Sequence, residues 1–355
     1  MSRAKVEIWG VYPPPIGGIS AYCRKLSAAL HDMDDTIVLK NFAGSRTGCD
    51  YVKDVRFRLW EFLKLPFRKH LIIHLQLCNL WFIVAFLLTG WRHDMVITLH
   101  NRKLLLLHGW KERVVRRFLS RARAIIFNDP QFVELLGSKY GIDESLMTVL
   151  PTYIPPTEAE KRGVPADIEE FCRKYRYIIS TNAYNLVRNV WGDVYGFDQI
   201  IGMMDILVNR KGMDAGLVFM FATQGDVEYM DECVERIKSL GLEDRFHLVV
   251  GSDANGFEIW ERSDLFVRAT NSDMEGISVK EALQFGTPVV ASDVCSRPAE
   301  AVLYKKGDVS DLAEKCYSLL SSGNRIVDFH PDTDVPERIM GIYNEIKNKP
   351  QTNIQ

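Results

Sequence analysis

N-S-D-M-E-G-I-S-V-K-E-A-L-Q-F-G-T-P-V-V-A-S, residues 271–292, decides how the rest of the chain is read. An apolar strand is expected over Asp264–Ala269. It runs into a polar loop holding Asp273, Glu275 and Gly276, and a helix is expected to start near Ser278. Asp273 and Glu281, eight residues apart, then flank a helix N-terminus. The N–H groups of a first helical turn have no partners within the helix, and the helix dipole is positive there, so the place suits a phosphate. The two acids are placed to accept hydrogen bonds from sugar hydroxyls on either side. A second reading stays open: Ser278-Val279-Lys280-Glu281 is also an S-x-x-E capping box, in which Glu281 only satisfies the backbone of the cap. Glu275 competes with Asp273 for the part of first acid.

The stretch resembles the acid-x7-acid motif of the family-4 retaining glycosyltransferases, E-G-F-G-x-x-x-x-E-A-x-x-x-G-x-P-V-V-x-S. It matches at Gly276, Glu281, Ala282, Gly286, Pro288, Val289, Val290 and Ser292, with Asp273 in place of the first Glu. No cap requires the G-x-P-V-V-x-S that follows. The resemblance implies an α/β GT-B fold, two Rossmann-like domains with parallel sheets facing across a cleft. Residues 1–165 would form the acceptor-side domain and 166–334 the nucleotide-sugar-binding domain, with 335–355 a last helix crossing back to the first. It also implies that Asp273 holds the donor sugar, that the backbone of Gly276, Ile277 and Ser278 contacts the diphosphate, and that Glu281 holds the ribose.

Patterning away from the motif is compatible with that architecture. Apolar runs recur at Val6–Val11, Thr36–Leu39, Leu71–Leu75, Met95–Leu99 and Ala124–Phe127, separated by helical patterns. They recur again at Tyr177–Ser180, Leu217–Ala222, Phe246–Val250, Leu265–Ala269 and Pro288–Ala291. This is the βαβ rhythm of two parallel sheets, and the proline-rich run Pro151–Thr157 breaks it in the middle. Val335–Asn348 is the expected crossing helix. A G-G turn at Gly17 and Gly18 opens the first helix and permits close backbone approach. The resemblance puts these glycines between donor phosphate and acceptor. His100, at the end of the strand Met95–Leu99, is implied to lie near the donor sugar.

One departure matters. The family's diphosphate-neutralising Arg and Lys are missing from the run that begins Thr181-Asn182-Ala183 and ends Tyr195-Gly196, which leaves Asn182 as the donor-binding candidate there. A departing diphosphate needs compensating charge. Arg268, at a strand end, is the favoured source, and Arg188, Lys280 and Arg297 are the others, each readable as a surface ion pair.

Length and composition bound the rest. A chain of 355 residues implies about two domains, and 47% hydrophobic against 25% charged residues excludes a disordered one. Seven scattered cysteines without C-x-x-C spacing, and no visible signal peptide, point to a cytoplasmic protein with reduced thiols. The apolar stretch Leu77–Trp91 falls short of a membrane span and is expected to be a buried helix. Residues 1–150 carry 22 Lys and Arg against 13 Asp and Glu, the remainder 22 against 33, so a net charge of −2 conceals +9 and −11. Much of the basic excess lies in residues 53–69 and in 102–123, the latter around Trp110, Val114, Val115 and Phe118, and it fits either an anionic membrane surface, with peripheral attachment, or a solvated helix face. Nucleic acid is disfavoured for want of a motif. Asp32-Met33-Asp34 and Asp332-Thr333-Asp334 follow no strand, so no metal site and no cofactor are expected.

The expectation is thus a metal-independent hexosyltransferase. It would move sugar from a nucleoside diphosphate donor to a glycan or lipid-linked acceptor, as in bacterial surface polysaccharide assembly. A GT-B nucleotide-sugar epimerase and a non-catalytic nucleotide-sugar-binding partner are the alternatives.

Overall fold

The computed structural model describes residues 4–14, 17–100, 103–156, 160–189, 192–251, 255–273, 276–323, 327–331 and 333–348. Glu275, Asn101 and Asp332 lie outside them. The chain divides into two compact units, Met1–Ile154 with Asp332–Gln355, and Pro155–Pro331, so the division falls within the proline-rich run.

In the first unit the order is β1 (Lys5–Gly10), α1 (Gly18–Met33), β2 (Val38–Asn41), β3 (Val52–Asp54), α2 (Arg58–Lys64), β4 (Leu71–Leu75), α3 (Leu80–Thr89), β5 (Asp94–Leu99), α4 (Trp110–Leu119), β6 (Ala124–Phe127), α5 (Gln131–Tyr140) and β7 (Met147–Val149). All seven strands are parallel, in the order β3-β2-β1-β4-β5-β6-β7. Strand side chains alternate between faces. Trp9, Ile73 and Leu75 therefore join one core with α2, α3 and α4, while Val6, Ile8 and Ile72 join the other with α1.

The second unit runs α6 (Ala166–Cys172), β8 (Tyr177–Ala183), a short hairpin of β9 (Arg188–Asn189) and β10 (Gly192–Asp193), α7 (Phe197–Met204), β11 (Ala215–Phe221), α8 (Val227–Ser239), β12 (Phe246–Val250), α9 (Gly256–Arg262), β13 (Leu265–Arg268), α10 (Ile277–Gln284), β14 (Val289–Ser292), β15 (Val302–Tyr304) and α11 (Val309–Ser322). Its six-stranded parallel sheet has the order β12-β11-β8-β13-β14-β15. Counted from the first strand of each unit, both sheets begin 3-2-1-4-5-6, the Rossmann order. The strand order reverses between β8 and β13, and ligands of such sheets bind outside the carboxyl ends of the strands at that point.

The last helix, α12 (Val335–Asn348), belongs to the first unit. Val335, Ile339, Tyr343 and Ile346 recur at helical spacing and are buried in the core that holds α1. Lys347 closes the contact with Asp34 at 3.4 Å, which occupies one acid of the Asp32–Asp34 triplet.

Two expectations need correcting. Strands do not always alternate with helices: β2 passes to β3, and β14 to β15, by loops alone. The stretch Leu77–Trp91 is not a buried helix either. In α3, Phe82, Ile83 and Phe86 are buried, but Trp81, Val84 and Leu88 face solvent at 43%, 37% and 72% exposure. A segment apolar all round carries no signal for which side faces the core, and here the sheet covers one side only.

Candidate active site

Strand β13 reads Leu265-Phe266-Val267-Arg268. By alternation Arg268 shares a face with Phe266, the face on which α10 packs through Val279, Ala282 and Leu283. Arg268 is 9% exposed, and it is tolerated there because its guanidinium meets acceptors on several sides. Its Nε donates to Asp273 Oδ2 at 3.0 Å, and its Nη1 donates to both the backbone and side-chain oxygens of Asn182 at 3.0 Å. The ring of Tyr195 lies 5.4 Å from it. Asn182 is the penultimate residue of β8 and Arg268 the last of β13, so this contact joins the two strands at the reversal point.

A second arginine completes the constellation. Arg297, in the loop after β14, donates from Nη1 to the same Asp273 oxygen at 3.0 Å and from Nη2 to Thr270 Oγ1 at 3.3 Å. Its side chain is 0% exposed, so it is no surface ion pair. Burial alone would push the Asp273 carboxyl up. Arg268 first and Arg297 second reverse that and hold its pKa at about 2. The carboxylate is therefore ionised at any physiological pH, and two cations against one anion leave the cluster net positive.

The loop that presents Asp273 is fixed from behind. Gln199 donates to Ala269 O and Asn271 Oδ1, both at 3.2 Å, and is itself held by the Tyr304 hydroxyl at 2.8 Å. Ser292 donates to Thr270 O at 2.7 Å. Gly196 has φ +71°, and a Cβ there would run into the Ala269 carbonyl. Only glycine fits.

Helix α10 begins one residue earlier than the sequence implies. Gly276 is its N-cap at φ +67°, with no side-chain cap, and a Cβ on it would collide with Arg297 Nη1. Ser278 is thus inside the first turn and buried, not at the cap, so the S-x-x-E capping-box reading does not hold. Glu281 sits a turn further on and is half-buried. The structure brings Asp273, Arg268, Asn182 and Gly276 together, with Ile277 and Ser278 in the adjoining first turn. Of the other cations, Arg188 on the hairpin is engaged by Asp226 and Glu232 at the cap and within α8, and Lys280 lies within α10.

In the first unit His100 directly follows β5. Its Nε2 lies 2.7 Å from Gln76 Oε1, an oxygen that can only accept, so the proton is on Nε2. Gln76 Nε2 in turn donates to His74 Nε2 at 3.1 Å, which leaves the His74 Nδ1–H to donate to the Tyr343 hydroxyl. Burial, and then the neighbouring His100, push His74 down to about 3, which keeps it neutral. A buried polar chain thus links α12 to His100. Nothing in the sequence pairs Gln76 with His100; the register of β4 beside β5 does.

Gly17 caps α1 through Ser20, whose hydroxyl accepts from Gly17 N at 2.9 Å. Among the described residues, a Cβ on Gly17 or Gly18 would meet no atom within 4 Å. Packing does not require glycine at either position.

Two family models match, one on each unit: "Glycosyltransferase Family 4" over residues 16–158 and "Glycosyl transferases group 1" over 187–322. The chain thus carries a family-4 glycosyltransferase domain and a group 1 glycosyl transferase domain. Solved GT-B glycosyltransferases share its fold along nearly the whole length. HepE of Anabaena in complex with UDP superposes with a TM-score of 0.67 at 15% identity, covering 96% of this chain and 98% of that one. WaaG, a glycosyltransferase involved in lipopolysaccharide biosynthesis, gives 0.64 at 14% identity, with 95% and 99% covered. Sucrose-phosphate synthase from Thermosynechococcus elongatus gives 0.65 at 16% identity, with 97% and 96% covered. The Anabaena protein has also been solved with UDP-glucose. A search of curated protein sequences finds no match.

Proposed function

We propose that this glycosyltransferase takes a hexosyl unit from a nucleoside diphosphate sugar, with retention and without a metal ion, and passes it to the hydroxyl of a glycan, a lipid-linked one in the first instance. The observation that carries this reading is the buried Arg268–Asp273–Arg297 cluster at the head of α10, beside the strand-order reversal. Its net positive charge and the N–H groups of the α10 first turn suit a diphosphate. Arg268 and Arg297 would stand in for the family's missing Arg and Lys, which removes the motive for reading the site as degenerate. A UDP-sugar donor is supported by the Anabaena relative seen with UDP-glucose.

In this reading Asp273 orients the donor sugar, Glu281 accepts from the ribose, and Gly276, Ile277, Ser278 and Asn182 line the nucleotide. Gly17, Gly18 and His100 would also contact the donor, and for these the resemblance is the support. His100 is held through Nε2 by Gln76, which fixes the orientation of its ring. Rate comes from holding the reactants in register and from stabilising the diphosphate as it leaves. No side chain acts as a strong base.

The test is transfer from a panel of nucleoside diphosphate hexoses, in the presence of chelator, by wild type and by Asp273→Asn, Glu281→Gln and Arg297→Met. Retention is read from the anomeric configuration of the product. Each variant should lose about a hundredfold or more in kcat/KM while melting cooperatively. Near-normal transfer by Asp273→Asn and Glu281→Gln would end the site assignment. A strict manganese requirement would end the metal-independent one.

A further inference from the structure

Eleven large hydrophobic side chains between Phe57 and Trp110 face solvent, among them Phe67 at 90% and Phe57 at 75% exposure. They are not scattered. Helix α2 packs on α3 and α3 on α4, and Leu59, Leu63, Trp81, Val84, Leu88 and Trp110 line one open apolar groove across the three. A contiguous patch of this kind marks an interaction surface.

The charge around it says what covers it. Residues 56–121 contain 13 Lys and Arg against 3 Asp and Glu. All three acids are engaged by bases: Glu61 by Lys40 and Lys64, Asp94 by Arg123, Glu112 by Arg116. Arg56, Arg92, Lys111, Arg113 and Arg117 are exposed. Three of the exposed tryptophans each carry a cation beside the ring, Lys64 at Trp60, Arg92 at Trp91 and Lys111 at Trp110, at 5.7–5.8 Å. Tryptophan flanked by Lys or Arg is the chemistry of a bilayer interface, where the ring sits at headgroup depth and the cation meets lipid phosphate. A second copy of this chain is a poor occupant, because a two-fold contact would set the same basic face against itself. Among the described residues no helix is long and apolar enough to cross a membrane.

We infer that the α2–α3–α4 face is a docking surface for an anionic lipid bilayer, with Trp60, Trp81, Trp91, Trp110 and Leu88 entering the interface and the surrounding Lys and Arg binding lipid phosphates. The sequence pointed to the basic residues in 53–69 and 102–123 and to the apolar residues interleaved with them around Trp110. Most of the apolar half of the device comes from α2 and α3, joined by Trp110 of α4.

The test is flotation of the full chain, without nucleotide or acceptor, with phosphatidylcholine vesicles and with vesicles also containing phosphatidylglycerol. Wild type should float with the anionic vesicles, and high salt should release it. The exposed-residue variants Trp60→Ser/Leu88→Ser/Trp110→Ser and Lys111→Glu/Arg117→Glu should each weaken partition by more than about tenfold, with unchanged melting temperature and circular dichroism. Wild type remaining unbound, or both variants floating as wild type does, would overturn the inference. So would a concentration-dependent dimer in the ultracentrifuge that the tryptophan variant dissolves, since a second copy would then cover the face. Because no sugar nucleotide is present, failure here is separate from failure of the transferase reading.

Discussion

The two units share a strand order but spend their strand ends differently. In the second, the reversal point gathers two guanidinium groups and a carboxylate, all buried and mutually paired. In the first, the ends of β4 and β5 carry a polar chain of His74, held neutral, Gln76 and His100, and the charge is moved to the outer helices. The sheet supplies positions; the residue types at its carboxyl edge decide whether a place suits an anion or a hydroxyl. The contrast can be broken experimentally, unit by unit.

The largest effect is expected from Asp273→Ala. Removing the carboxylate leaves Arg268 and Arg297 facing each other without their shared anion, at a cost of about 3–5 kcal/mol, read as a lowered urea midpoint of the full chain. Asp273→Asn, which keeps two hydrogen-bonding positions, should cost less than the alanine variant. Equal losses would mean that packing, not charge, holds the cluster.

Next come the acid limbs. His74 has a pKa of about 3 in the folded chain against an ordinary 6.5, so the unfolded chain takes up its proton first and stability falls as pH drops from about 6.5 towards 3. Asp273, at about 2 against 3.8, contributes about 2 kcal/mol above pH 4, lost only as pH falls from about 4 to 2. Urea midpoints measured from pH 7 to 3 should therefore show an upper limb that His74→Leu flattens and Asp273→Asn leaves in place. An upper limb unmoved by His74→Leu would contradict a neutral buried His74.

Tyr343→Phe sharpens the same point. It strands the His74 Nδ1–H in a dry core and should cost about 1–3 kcal/mol, with a second signature in the tautomer of His100 seen by nitrogen NMR. Smallest is the glycine pair. Gly276→Ala, at positive φ and against Arg297, should cost about 1–2 kcal/mol. Gly17→Ala, at an extended φ of −161° with open space around it, should leave the melting temperature within about half a degree of wild type. Equal destabilisation would refute the contrast drawn between the two turns.

Every strand of four residues or more could be read from the chain, because apolar runs of that length declare themselves. β3, β7, β15 and the β9–β10 hairpin could not; two or three residues are too few to show alternation. In the site, Asp273 and Arg268 were legible from a motif and a strand end. Arg297 looked like any surface arginine, because S-R-P-A-E has no periodicity and only the folded loop buries it. Ser278 misled for a related reason: a left-handed Gly276 starts the helix early, and a cap signature cannot foresee that. The exposed side of α3 was hidden by its uniformity.

The account stands on the donor diphosphate binding at the head of α10. The direct measurement is a crystal structure with the nucleoside diphosphate hexose that the panel selects. It should show the diphosphate on the backbone N–H groups of Ile277 and Ser278, within reach of Arg297 or Arg268, and the sugar against Asp273. A donor lodged elsewhere, with Asp273 and Glu281 both turned from it, would contradict the account.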